Sequence, residues 1–112
     1  FATVDDSRAQ FDRVRDACAA AGRNPDSLVY SAAVTICCGR DSADVALRAR
    51  AIGRDPDNFG AGGIAGVPEQ VVQGLADYIA AGASRLYLQV IDLRDLDHIE
   101  LLATDVLPHV AA

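Results

Sequence analysis

The chain has 112 residues, a formal net charge of −6 and 51% hydrophobic residues. This composition fits one small globular α/β domain over residues 1–112 with a core of its own, and argues against a disordered chain. The acidic excess argues against nucleic acid or an anionic membrane as a partner, and no apolar run reaches the roughly 20 residues that a membrane-spanning helix needs.

Three cysteines, Cys18, Cys37 and Cys38, form an odd set with two adjacent members. A disulfide framework is therefore not expected, and a cytoplasmic location is predicted. No Cys or His lies at metal-ligand spacing from His98 or His109, so no metal is predicted. The sequence begins with Phe1 instead of Met, and we expect a fragment of a longer protein.

The first predicted helix covers residues 4–21, with Asp5 or Asp6 as its cap. Its apolar stripe consists of Phe11, Val14, Cys18 and Ala21. Residues 28–38 follow as a strand because β-branched side chains are frequent there.

A second helix is predicted over residues 42–52, capped by Asp41 or Ser42. Its apolar positions are Val45, Leu47, Ala49 and Ile52. Residues 53–67 contain five of the nine glycines. They are predicted to be a loop with one short helical turn at residues 56–59.

Pro68 suits the first turn of a third helix, which Gly82 ends in the left-handed conformation. Residues 86–91 are nearly continuous in apolar side chains, which is typical of a strand covered on both faces. A last helix follows Asp95, and its predicted stripe consists of Leu96, Ile99, Leu102 and Val106.

A strand, a crossover that contains helices and a second strand predict a right-handed parallel unit. Two parallel strands cannot bury both faces and satisfy both edges. Further strands are therefore expected from missing chain or from a partner subunit.

Three motifs in this order resemble the C-terminal portion of luciferase-like flavin- or deazaflavin-dependent oxidoreductases. They are the helix start Ala65-Gly66-Val67-Pro68-Glu69-Gln70-Val71, the helix end Ala81-Gly82-Ala83, and Leu101-Leu102 followed by Asp105-Val106-Leu107-Pro108. The family prefers Thr or Ser before the proline. Val67 stands at that position here and has no hydroxyl with which to cap the helix.

The resemblance implies the C-terminal βα units of a (β/α)8 barrel: two parallel strands with about four helices, completed by a partner chain or by the missing barrel half. It implies an oxidoreductase or monooxygenase that uses reduced FMN or deazaflavin. Residues after each strand line the active face of such a barrel. Gly66, Val67 and Arg40 are candidates for holding the cofactor phosphate, because backbone N–H groups at a helix start suit an anion. Gln89 is a candidate for contacting the cofactor ring. No catalytic residue is assigned.

Each candidate also has a simpler interpretation. Gly66 only starts a helix, Arg40 is a solvated loop residue, and Gln89 is a satisfied core or interface side chain. Cys37 and Cys38 are then buried and inert, and His98 and His109 are surface residues.

Two functions stay open at this point. The chain is either part of a flavin or deazaflavin enzyme that is inactive alone, or a non-catalytic remnant or truncated paralogue. The remnant would bind no cofactor and would survive by pairing with a second copy as a homodimer.

Overall fold

A computed structural model describes residues 1–110. Four helices and a three-stranded parallel sheet alternate along the chain. The helices are α1 Val4–Ala20, α2 Ser42–Ala51, α3 Pro68–Ala80 and α4 Leu96–Leu101, and the strands are β1 Ser31–Cys38, β2 Gly63–Gly66 and β3 Arg85–Gln89. Past α4 the chain continues as a π-helical turn, Leu102–Val106, and a 3₁₀ turn, Leu107–His109.

The sheet has the order β2-β1-β3, and β1 runs parallel to both neighbours. The predicted mixed α/β architecture is confirmed, whereas the prediction of two strands is wrong. The third strand, β2, lies in residues predicted to be loop. Its four residues pair with the carboxyl half of β1, from Thr35 opposite Gly63 to Cys38 opposite Gly66. Instead of the helical turn expected at residues 56–59, an antiparallel bridge joins Asp55 to Asn58.

One face of the sheet, here called the packed face, carries the main core. Val34, Ile36 and Cys38 point into it from β1, and Val71 and Leu75 of α3 cover them. α1 adds Phe11, α4 adds Leu101, and the π-helical turn adds Leu102 and Val106.

The opposite face, here called the open face, carries Thr35 and Cys37 of β1 and Tyr87 and Gln89 of β3. α2 covers only its carboxyl end, where Val45 and Ala49 pack against Cys37. Tyr87 is 54% exposed, so the expectation that this strand is covered on both faces is wrong. The reason is that α2 packs against Cys37 of β1 and does not extend over Tyr87.

Several helix details also differ from the predictions. The N-cap of α1 is Thr3, whose hydroxyl accepts the Asp6 N–H at 3.1 Å, so neither Asp5 nor Asp6 caps it. β1 begins at Ser31, three residues later than predicted. Four residues predicted to be buried are exposed because their helices turn other faces to the sheet: Val14, Leu47, Leu96 and Ile99; Ala21, the C-cap of α1, is exposed as well.

Other local predictions are confirmed. Asp41 caps α2 by accepting the Asp44 N–H at 2.8 Å. Gly82 takes a φ of +118° directly after α3, as a helix-ending glycine does. Asp95 caps α4 by accepting the His98 N–H at 3.0 Å.

Candidate functional site

The carboxyl ends of β1 and β2 bring three of the predicted site residues together. The Gly39 N–H donates to the Gly66 carbonyl at 3.1 Å, which holds the loop that carries Arg40 beside the start of α3. Only glycine fits at position 39, because a Cβ there would lie 2.4 Å from the backbone nitrogen of Val45. The result is an open cleft of about 710 Å³, lined by Arg40, Val67, Pro68, Glu69, Val72, Thr104, Asp105 and His109.

The first turn of α3 presents few free backbone donors to this cleft. Val67 makes no side-chain cap, as its lack of a hydroxyl predicts. Its own N–H donates to Oε1 of Gln70 at 3.0 Å. Pro68 has no N–H. The N–H groups of Glu69 and Gln70 are thus the two that the helix geometry leaves without an intrahelical acceptor.

Arg40 is exposed, but its guanidinium is not free. It donates to both carboxylate oxygens of Asp97, at 2.7 and 3.0 Å. Its backbone N–H donates to Asp44 at 2.9 Å. The Arg40 guanidinium, aided by that of Arg48, lowers the pKa of Asp97 to about 2. Arg40 is thus an exposed loop residue, as its simpler interpretation predicts, and a bidentate pair with Asp97 orients its guanidinium.

Arg48 lies behind Arg40 and joins three elements. Its side chain is only 10% exposed and contacts Asp44 of α2, Asp97 of α4 and Asp95 at the start of α4. It also donates to the Cys38 carbonyl at the end of β1, at 3.3 Å. Hydrogen bonding to Arg48 holds the pKa of Asp95 below its usual range. The network orders the carboxyl end of the sheet around two arginines and three aspartates.

His98 is a buried residue of this region. It is buried, and its Nε2 accepts the backbone N–H of Cys38 at 2.9 Å. Burial lowers its pKa, and the nearby Arg48 charge adds to the effect. The prediction that His98 is a surface residue is wrong, whereas His109 is exposed as predicted. The available signal was spacing: positions 98, 101 or 102, and 105 or 106 share one face of a helix.

Gln89 lies apart from the cleft. The register of β1 and β3 places it beside Thr35 on the open face, where the Thr35 hydroxyl donates to Oε1 of Gln89 at 2.9 Å. Gln89 is exposed and its amide oxygen has a partner. The structure thus groups Arg40, Gly66 and Val67 but not Gln89.

The two adjacent cysteines point to opposite faces of β1, and both are buried free thiols. Burial raises the pKa of Cys38 to about 11 and also raises that of Cys37. Thiols of this kind are poor nucleophiles, because the thiolate is the reactive form.

Two further kinds of site are absent from the described residues. Among residues 1–110, no three His, Cys, Asp or Glu side chains form a group that could hold a metal ion. None of the helices within that range has the length and apolar character needed to cross a bilayer.

Comparison with known proteins leaves the family unassigned. No protein-family model matches the chain, and no curated protein matches it significantly.

Proposed function

We propose that this chain is the C-terminal part of a luciferase-like oxidoreductase or monooxygenase that uses reduced FMN or deazaflavin. It would supply one wall of the cofactor site and would be inactive alone. The observation that carries the proposal is that Arg40 and Val67 line one cleft at the carboxyl ends of β1 and β2, with Gly66 held next to it by the Gly39 N–H. Ligands of parallel α/β sheets bind at that end.

The sheet offers partial support for a (β/α)8 barrel. β1 and β3 are adjacent and parallel, as consecutive barrel strands would be. The uncovered part of the open face and the free edge of β3 are surfaces that further strands would cover. Two features depart from a regular barrel: β2 lies on the other side of β1, and α2 packs on the face that would be the barrel interior.

The cleft offers hydrogen-bond donors that suit a phosphate, but the charges around it do not favour an anion. The N–H groups of Glu69 and Gln70 and the remaining guanidinium hydrogens of Arg40 can donate to phosphate oxygens. Asp97 already offsets the charge of Arg40, however, and the carboxylates of Glu69 and Asp105 border the same cleft. A second segment with a cation is therefore needed for tight binding.

That imbalance is the reason to expect no activity from the chain alone. A bound flavin or deazaflavin supplies the hydride-transfer chemistry, and the protein binds and orients it. In this proposal Arg40 and the first turn of α3 orient the phosphate. The substrate and the catalytic groups would be held by the rest of the barrel.

A second candidate is a non-catalytic chain that self-associates as a homodimer. Within residues 1–110, no strand pairs with the outer edge of β3. Its surroundings expose large apolar side chains, with Tyr87 at 54% and Leu93 at 76%. Arg85 is the one charged residue between positions 85 and 91 of a chain with net charge −6. This stretch can therefore meet its own copy without carboxylate repulsion.

Cofactor titration combined with sedimentation tests both candidates. The purified chain is titrated with FMN and with deazaflavin, and cofactor fluorescence is followed. Its mass in solution is measured at the same concentrations. Arg40→Ala removes the guanidinium from the cleft, and Arg13→Ala, which removes an exposed arginine of α1 that does not line the cleft, serves as the matched control.

The outcomes separate the two proposals. Weak, saturable binding that Arg40→Ala weakens and Arg13→Ala does not supports the oxidoreductase. A stable dimer without saturable binding supports the self-associating remnant. A stable monomer that binds neither cofactor even at millimolar concentration contradicts both.

A further inference from the structure

His98 stands at the junction between the end of β1 and the first turn of α4. The residue is 5% exposed, its Nε2 accepts the Cys38 N–H at 2.9 Å, and its backbone N–H donates to Asp95 at 3.0 Å. The side-chain bond spans 60 residues of sequence. We infer that His98 is a pH-sensitive latch, which fastens α4 to the carboxyl end of the sheet while its imidazole is neutral.

The chemistry of the contact requires the neutral form. In that form, one ring nitrogen is an acceptor. A proton on Nε2 would place a second donor against the Cys38 N–H, so the bond would be lost. Both groups would then be buried without this partner, and a buried polar group without a partner is costly.

Charged and titratable groups surround the ring from three elements. α2 contributes Arg48 and Asp44, and α4 contributes Asp95 and Asp97. Cys37 of β1 and Asp92 line the same small cavity of about 20 Å³ beside the ring. The cation opposes protonation and the carboxylates favour it. Asp95 and Asp97 are already hydrogen-bonded to Arg48, so they offer the imidazolium little further compensation.

The direction of the pH effect follows from the pKa of His98, which burial lowers below the ordinary value of about 6.5. The unfolded chain then binds a proton at higher pH than the folded chain. The stabilisation that the latch contributes is fully present at pH values above the pKa of His98 in the unfolded chain. It is lost as the pH falls below that value toward the pKa of His98 in the folded chain. The pKa of Asp97 is about 2, so its carboxylate stays ionised in the folded protein between pH 7.5 and pH 5.0.

Loss of the hydrogen bond between His98 and Cys38 would also change the cleft. Asp97, the residue before His98, holds the Arg40 guanidinium at the cleft mouth. If the first turn of α4 leaves the sheet, this pair opens and Arg40 becomes available to an anion. The latch is independent of whether the cleft binds a flavin.

The test compares His98→Gln with wild type and uses His109→Gln as the matched control. Glutamine retains an acceptor near the Nε2 position and does not titrate. Urea unfolding at pH 7.5 and pH 5.0 should show a several-fold loss of the folded-to-unfolded ratio in wild type and in His109→Gln. The loss should be much smaller in His98→Gln. An equal loss in all three proteins would overturn the latch.

A second measurement on wild type applies even if His98→Gln does not fold. Histidine ring resonances and the Cys38 amide are followed by NMR between pH 7.5 and pH 5.0. The latch predicts that His98 titrates below its ordinary pKa and that the protection of the Cys38 amide from exchange, relative to its intrinsic rate at each pH, falls in the same range. A Cys38 amide that is unaffected while His98 protonates would overturn it.

Discussion

Arg48 of α2 donates to Asp95 at the start of α4 across 2.8 Å, and this pair joins two helices on opposite sides of β1. The Arg48 side chain is 10% exposed and that of Asp95 is 23% exposed, so water screens the pair only partly. The same guanidinium holds Asp44 and Asp97. Its removal would leave three carboxylates close together without their shared cation.

Arg48→Met is therefore expected to lower the free energy of unfolding by about 2–3 kcal/mol, because it leaves largely buried carboxylates without their cation. Urea unfolding at pH 7 measures the change. Arg50→Met is the control, since Arg50 is exposed on the same helix and should stay within about 0.5 kcal/mol of wild type. Equal effects of the two substitutions would refute the role of the network.

Asp97 predicts a stability change at acidic pH. Its folded pKa of about 2 lies below the unfolded value of about 3.8, so its contribution is present above the unfolded pKa and disappears as the pH falls through the folded pKa. Wild type should be more stable than Asp97→Asn at pH 6, and the difference should vanish near pH 2. Because Asp97 is exposed, salt should also reduce the stability difference between wild type and Asp97→Asn. A difference that is independent of both pH and salt would contradict this assignment.

Val67 is a helix cap without a capping side chain, and its extended backbone, with ψ of 165°, already suits that role. Val67→Thr should raise the free energy of unfolding by about 0.5–1 kcal/mol by giving the first turn of α3 an acceptor. Val72→Thr makes the same chemical change inside α3, where no open N–H exists. It should lower stability by about 1 kcal/mol by placing a hydroxyl in a half-buried position. Effects of the same sign at the two positions would exclude capping as the cause.

The free edge of β3 predicts concentration-dependent association. Tyr87→Lys places a charge on the exposed face of that strand, a substitution that blunts strand edges against pairing. It should shift the chain toward monomer in sedimentation velocity. Leu47→Lys, at an exposed position on α2, should leave the distribution unchanged. If both variants associate as wild type does, β3 is not the contact.

Much of the fold was predictable because local signals and tertiary packing agree. Asp41 and Asp95 cap the helices predicted to follow them, and Gly82 ends α3 where the sequence places a stop. β2 escaped prediction because two of its four residues are glycines, which have low strand propensity. It forms through tertiary contacts. β1 pairs with it, and the Phe59 ring packs so close to Gly63 that a Cβ at position 63 would lie 2.7 Å from a ring carbon.

The candidate site was predictable in part. The order of strands and loops places Arg40 and Gly66 at the same end of the sheet, and the structure joins them. The pairing of Arg40 with Asp97 spans 57 residues and leaves no local sequence pattern. The burial of His98 was missed because the predicted apolar stripe begins with Leu96 and Ile99, which the structure exposes. The buried face passes instead through His98, Leu101 and Leu102.

The central claim is that the start of α3 receives a cofactor phosphate, and amide NMR with FMN and riboflavin tests it most directly. The two ligands share the flavin ring, and FMN alone carries the phosphate. The account predicts that FMN shifts the Glu69 and Gln70 amides at millimolar concentration and that riboflavin leaves them in place. Equal shifts with both ligands, or none at these two amides with FMN, would contradict it.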